Sequence, residues 1–216
     1  MGSVVGPAVR IDEPTNARSR RTREALLDAA REILERDGFH ALTMGAVAHR
    51  AEVSRGAVYL HFSSRSDVVA ALFDHIAARE GLSDSLRRVR DAPDAVAALD
   101  EWAAHLARYH PRMIAVDRAI THVQHDDPDA AAHRRRVDEA QREGCTHLAR
   151  RLADEGRLAE PWTVATARDM LFALISTDMI ERLTVGCGWS ERRLADRLAT
   201  LFRATFTRRD GTGAPG

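Results

Sequence analysis

Apolar residues recur three and four positions apart along most of the chain, and strict alternation is rare, so the pattern predicts an all-α protein. Leu26, Ala30, Ile33 and Leu34 form one stripe of a helix over 22–37. Its early acids, Glu24 and Asp28, suit the positive end of the helix dipole, and Gly38 supplies the stop. A short helix over 43–51 follows, capped by Thr43, with Met44, Val47, Ala48 and Ala51 on one face. Glu52 and Val53 turn the chain, and Ser54 caps a third helix over 55–62, with Val58 and Phe62 inward. A fourth starts near Ser66 and Asp67 and carries Val68, Val69, Leu72, Phe73 and Ile76. Pro93, Pro111, Pro128, Gly156, Pro161, Gly186 and Gly188 then mark breaks. They leave further helices over 93–109, 111–125, 127–155, 161–186 and 190–207, about nine in all. Residues 1–16 and 210–216 have no period and read as a flexible arm and tail.

Two short helices with about three residues between them describe a helix-turn-helix over 43–62. Each part has the chemistry that motif requires. Ala48 and Ala51 are small where the second helix crosses the first, and Val53 plugs the turn. The second helix opens with Ser54, Arg55, Gly56 and Ala57, a thin end bearing one long donor. Such an end fits a major groove ~12 Å wide, where Arg is the usual bidentate reader of guanine.

Net charge gives no hint of a nucleic-acid partner, but its local distribution changes the picture. The 216 residues hold 32 basic and 32 acidic side chains, with no Lys at all. Locally, Arg18, Arg20, Arg21 and Arg23 lie together, while Glu24, Asp28, Glu32, Glu35 and Asp37 cluster in the segment that follows. A basic surface is therefore compatible with a neutral chain. No apolar run approaches the ~18 residues of a membrane span, and the N-terminal stretch lacks the apolar core of a secretion signal. Two cysteines, Cys145 and Cys187, make no disulfide framework, which with the rest predicts a cytoplasmic location.

The run from Thr43 to Ala51, with Glu52-Val53-Ser54-Arg55-Gly56-Ala57-Val58-Tyr59-Leu60-His61-Phe62 after it, resembles the DNA-binding signature of TetR/AcrR-type transcriptional regulators. The likeness extends upstream to 22–30 and Gly38-Phe39, and downstream to Ser64-Arg65-Ser66-Asp67. It implies an N-terminal three-helix head over 17–65 and a helical ligand-binding and dimerisation domain over 66–209. It implies double-stranded DNA as a partner. Thr43 and Ser54 would hold phosphates at helix N-termini. Arg55 and Ala57 would face base edges, and Gly56 would let the backbone come close. Tyr59, His61 and Arg65 would contact phosphates, and Arg20 and Arg21 would reach along the adjacent backbone or minor groove. Two positions depart from the pattern: Glu52 stands where Gly is usual, and Leu60 where an aromatic or polar residue is common.

The second half has no Gly-rich phosphate loop, nucleophile elbow or His-Glu-x-x-His, so no enzyme, cofactor or metal is assigned. His122, His125, Asp126 and Asp127 read as a helix end rather than a metal site. Trp102, His105 and Tyr109 share a helix face, as do Met113, Val116 and Ile120. With Phe172 and Thr177 they are the candidates for contact with a small-molecule effector. By resemblance, the helices over 161–186 and 190–207 would form a homodimer interface. Leu194, Leu198, Leu201, Phe202 and Phe206 make the stripe that would serve it, ordinary monomer core being the alternative. The helix beginning at Arg65 would link effector to DNA. The resulting expectation is a regulator, a repressor by resemblance, released from a palindromic operator by its ligand. An interaction module on the same fold that has lost DNA binding is the competing reading, motivated by Glu52.

Overall fold

The computed structural model describes residues 17–208. The arm expected at 1–16 and the tail at 210–216 lie outside the described residues. Among them are ten α-helices and one isolated antiparallel bridge, Leu158 to Thr207. The contacts divide the chain into two units, with the division between Ile76 and Ala77.

In the first unit, α1 (Ala17–Asp37) starts five residues before the expected Thr22. Arg21 and Thr22 explain the extension: their side chains bond back to the carbonyls of Ala17 (3.3 Å) and Arg18 (3.1 Å). A 3-10 turn (Phe39–Ala41) leads to α2 (Met44–Arg50) and α3 (Arg55–Tyr59), and α4 (Arg65–Arg79) follows. Leu26, Ala30, Ile33, Leu34, Phe39, Leu42, Val47, Val58, Phe62, Val68 and Leu72 are fully buried. The stripes predicted for the first four helices are thus the core that holds the head together, by the ordinary preference of apolar surface for leaving water.

In the second unit, α5 (Leu82–Arg90) occupies a stretch for which no helix is expected; it opens after a left-handed Gly81. The next helix, α6, runs unbroken over Ala95–Val123 with Pro111 inside it, against the predicted break. Proline there removes one backbone hydrogen bond and crowds the preceding turn, at a cost of ~3 kcal/mol. Yet Leu99, Trp102, Leu106, Met113, Val116 and Ile120 stay in phase across it and are all buried. Burial of that continuous stripe outweighs the local penalty. α7 (Pro128–Asp154) is as expected, with Asp127 as its cap.

The single helix predicted over 161–186 is instead α8 (Val164–Ala173), α9 (Thr177–Glu181) and a wide π turn over Arg182–Gly186. Ser176 causes the break, because its side chain accepts from Met179 N–H (3.2 Å) and starts a new helix. Finally, α10 (Glu191–Phe206) lays Leu194, Leu198, Phe202 and Phe206 into the core with Leu99, Trp102 and Leu106 of α6. Only Leu201 of its predicted stripe is exposed, so most of that stripe is core of the single chain.

Three histidines are buried in this unit, His105, His110 and His133. Arg108 donates to Ser85 Oγ (3.0 Å), and the same hydroxyl hydrogen-bonds with His105 Nδ1 (3.0 Å). Burial holds His105 and His133 down to about 3 and His110 to about 4. A base depressed in this way stabilises the fold above its unfolded pKa, near 6.5, and the benefit fades as pH falls toward 4. Asp117, raised mainly by burial, acts in the opposite sense and blunts the effect. All three tryptophans lie in this unit, so their fluorescence reports its unfolding. Denaturant unfolding should show stability dropping between pH 6.5 and 4, by up to ~1.4 kcal/mol per pH unit per histidine. His110→Gln should flatten the slope; an equally steep slope in that variant would exclude its titration as a cause.

Candidate nucleic-acid interface

Sequence dictates the α2–α3 geometry through three local devices. Thr43 caps α2 by accepting from Ala46 N–H (3.1 Å), and Ser54 caps α3 by accepting from Ala57 N–H (3.2 Å). Between them Glu52 N–H bonds to His49 C=O (3.2 Å) and Val53 N–H to Ala48 C=O (3.0 Å). That pair of bonds is a Schellman closure, which needs a left-handed residue at Glu52. Glu52 has φ 55°, the one non-glycine with positive φ among the described residues. A side chain there costs ~1–2 kcal/mol relative to glycine. The departure seen in the sequence is therefore a strained residue in a glycine's place, and its carboxylate is exposed.

The helix so placed has two unlike faces. Val58 is fully buried, and Phe62 just beyond the helix end is buried with it. Arg55, Gly56, Tyr59 and Leu60 face solvent, Tyr59 being 56% and Leu60 79% exposed. Ala57 is half-buried, on the border between the faces. A Cβ on Gly56 would meet nothing nearer than Ser54 Oγ at 3.8 Å. No packing among the described residues demands glycine there. Arg55 lies across Gly45, where a Cβ would come within 2.9 Å of its guanidinium. The Arg55 guanidinium bonds to no other described residue.

Pairing sorts the arginines of the head. Arg31 bonds Glu35 (2.7 Å), Arg36 bonds Glu32 (2.8 Å), and Arg50 reaches both Glu32 and Asp37 (3.1 Å each). Three acids of that segment, Glu32, Glu35 and Asp37, are thus engaged at the far end of α1. Arg18, Arg20 and Arg55 have no such partner among the described residues, and Arg20 and Arg21 are exposed. Arg23, at the first turns of α1, donates to His61 C=O (3.5 Å) and stacks 4.6 Å from the Phe62 ring centre. This contact brings the start of α1 beside the end of α3. It also helps hold the half-buried His61 below its ordinary pKa, after burial itself.

Arg65, expected at a phosphate, is also tied into the head. Its Nε donates to Leu42 C=O (2.8 Å) and a terminal nitrogen to Phe39 C=O (3.1 Å), with the guanidinium 4.4 Å over the Phe39 ring. It ties the start of α4 to the α1–α2 connection. No pattern in the sequence separates that tie from a surface contact, because it depends on two backbone carbonyls.

The effector candidates fall in the second unit. His105 stacks on Tyr109 (5.6 Å) and lies 5.1 Å from Trp102, with His110 edge-on to both His105 and Tyr109. Burial raises the Tyr109 hydroxyl to about 12. Thr177 donates to Asp117 (3.0 Å), and Arg142 sits 4.2 Å over Phe172. Met113, Val116 and Ile120 are closed within the core. Two grooves, of about 640 and 540 Å3, are lined by other residues, among them Ala97 and Asp100. The structure brings Trp102, His105 and Tyr109 together, and the polar atoms it leaves buried without partners in this unit include Trp102 Nε1 and Gln141 Oε1. His110, Asp117 and Gln141 escape a reading of the sequence because polar residues on an apolar helix stripe resemble its solvated edge.

A model of the family described as bacterial regulatory proteins, tetR family, matches residues 26–72. An uncharacterized HTH-type transcriptional regulator TtgW from Pseudomonas putida is 38% identical over 58 residues, 27% of this chain and 43% of that protein. The HTH-type transcriptional regulator UidR of Escherichia coli is 40% identical over 51 residues, 24% of this chain and 26% of its own. The matched stretch thus spans less than half of these relatives. Solved structures share the fold over far more of the chain. NalD, described as the secondary repressor of the MexAB-OprM multidrug efflux pump in Pseudomonas aeruginosa, superposes with TM-score 0.69 at 20% identity, covering 90% of this chain and 100% of its own. A SmeT–triclosan complex gives 0.69 at 22% identity, covering 91% and 96%. At these identities the likeness is one of fold.

Arg65→Ala should lower stability by about 1–3 kcal/mol, since it removes a charge-assisted donor from the carbonyls of Leu42 and Phe39. Arg55→Ala should leave stability unchanged. Urea unfolding of both variants separates the roles; equal stability of Arg65→Ala and the parent would remove the tie.

Proposed function

We propose, from the match of residues 26–72 to the tetR family of bacterial regulatory proteins, that this chain is a sequence-specific, ligand-responsive regulator of transcription. The observation that carries the reading is the outer face of α3: an unpaired Arg55, a Gly56 that no internal contact requires, and an exposed Tyr59. Thr43 and Ser54 present capped helix N-termini, whose remaining N–H groups suit phosphate oxygens. Arg55 and Ala57 read base edges; Tyr59, His61, Arg20 and Arg21 hold the backbone. Arg65 acts from behind, by fixing the head that the others project from.

Two heads are needed for a palindromic site, with recognition helices about one DNA turn apart, ~34–36 Å. A homodimer through the segments 161–186 and 190–207 supplies them. Met170 on α8 and Leu201 on α10 are exposed apolar side chains on those segments and support that choice. The effector reading rests on the Trp102, His105 and Tyr109 cluster and its unpartnered indole N–H, together with the triclosan bound by SmeT. A ligand inserted there displaces packed side chains, so its effect on DNA binding equals its preference for one state over the other. Release of a repressor by its ligand is the outcome we assign.

Binding sites selected from a random duplex pool, followed by anisotropy at increasing salt, test this directly. The dissociation constant should rise steeply, with a log–log slope of ~0.9 per phosphate contacted. Gly56→Ala should weaken binding at least about ten-fold while leaving the fold as stable or slightly more so, because Ala is the better helix former. No enrichment of any sequence, or a flat salt response, would favour the interaction-module reading.

A further inference from the structure

Among the described residues, Leu60 is the most exposed of the large apolar side chains, at 79%. Its backbone is not loose. Leu60 N–H bonds to Gly56 C=O (3.2 Å), and two residues on, Phe62 is buried with its N–H on Val58 C=O (2.9 Å). The helical path therefore continues through Leu60 and holds its side chain one turn beyond Gly56 on the same face. Arg55 and Tyr59 form the adjoining row, and Arg23 brings the start of α1, with the exposed Arg20, to this end of α3. This leucine is held in water on the same short helix as the unpaired Arg55, with the start of α1 and its exposed Arg20 joined to that helix end, and such guanidinium groups suit a polyanion.

We propose that Leu60 determines sequence preference by packing against the C5 methyl of a thymine in the major groove. Leucine has no donor or acceptor, so the polar base edges are closed to it. The thymine methyl is the one apolar group that the four bases present in that groove. This rests on the DNA-binding reading above and deepens it: Arg55 supplies the polar half of the readout and Leu60 the apolar half, one turn further along the helix.

The test uses the full-length protein and a duplex selected by it from a random pool. Each thymine is replaced in turn by deoxyuridine, which lacks only the methyl. At one position per half-site the replacement should weaken binding about four-fold, the effect of keeping one methyl-sized carbon in water. Leu60→Ala should erase that difference at that position alone and keep the salt slope, whereas Leu60→Met should retain it. If uracil is tolerated everywhere, or Leu60→Ala still discriminates, the inference fails while DNA binding stands. If Leu60→Ala changes the oligomeric state with unchanged uracil ratios, the residue belongs to a contact between copies of the chain, and the inference is overturned. If the parent protein selects no duplex at all, both this inference and the regulator reading fall.

Discussion

Between α2 and α3 the chain reverses within a few residues, and the backbone can do so only if Glu52 is left-handed. The two closure bonds to Ala48 and His49 fix where α3 leaves, Ser54 fixes where it begins, and Val58 and Phe62 fix which side it buries. Everything attributed to the outer face follows from those three conditions. A helix of five residues has almost no stability of its own, so its orientation is set by what surrounds it. The strain at Glu52 is tolerated because the packed head determines the turn from both ends.

Net charge is a poor guide to this molecule because charge is spatially sorted. A neutral total conceals acids engaged with Arg31, Arg36 and Arg50, and guanidinium groups at Arg18, Arg20 and Arg55 that pair with nothing described. Surface pairs of this kind add little stability. Their consequence is electrostatic: they neutralise one end of α1 and leave the other cationic. Arg65 shows the opposite use of the same side chain, turned inward onto backbone carbonyls and an aromatic ring.

The head is legible in the sequence because its signals are local: a cap, a turn and a stripe each fall within a few residues. Thr43, Ser54, Val58 and Phe62 stand where the spacing puts them. The second unit is legible only as helix. Pro111 reads as a break, although the apolar phase carries on through it; there a long-range packing term defeats a local one. Ser176 divides a helix that composition alone leaves whole. The tie made by Arg65 and the bond between His105 and Ser85 join residues 20 or more apart, and no single-sequence pattern encodes these.

The central claim is that residues 43–62 are the surface that meets DNA. Hydrogen–deuterium exchange of the full-length protein, with and without a duplex it has selected, addresses that surface segment by segment. Slowed exchange in peptides covering α2 and α3, persisting through Leu60, is the predicted result. Protection confined to α5–α10, with exchange in 43–62 unchanged at saturating duplex, would contradict the account.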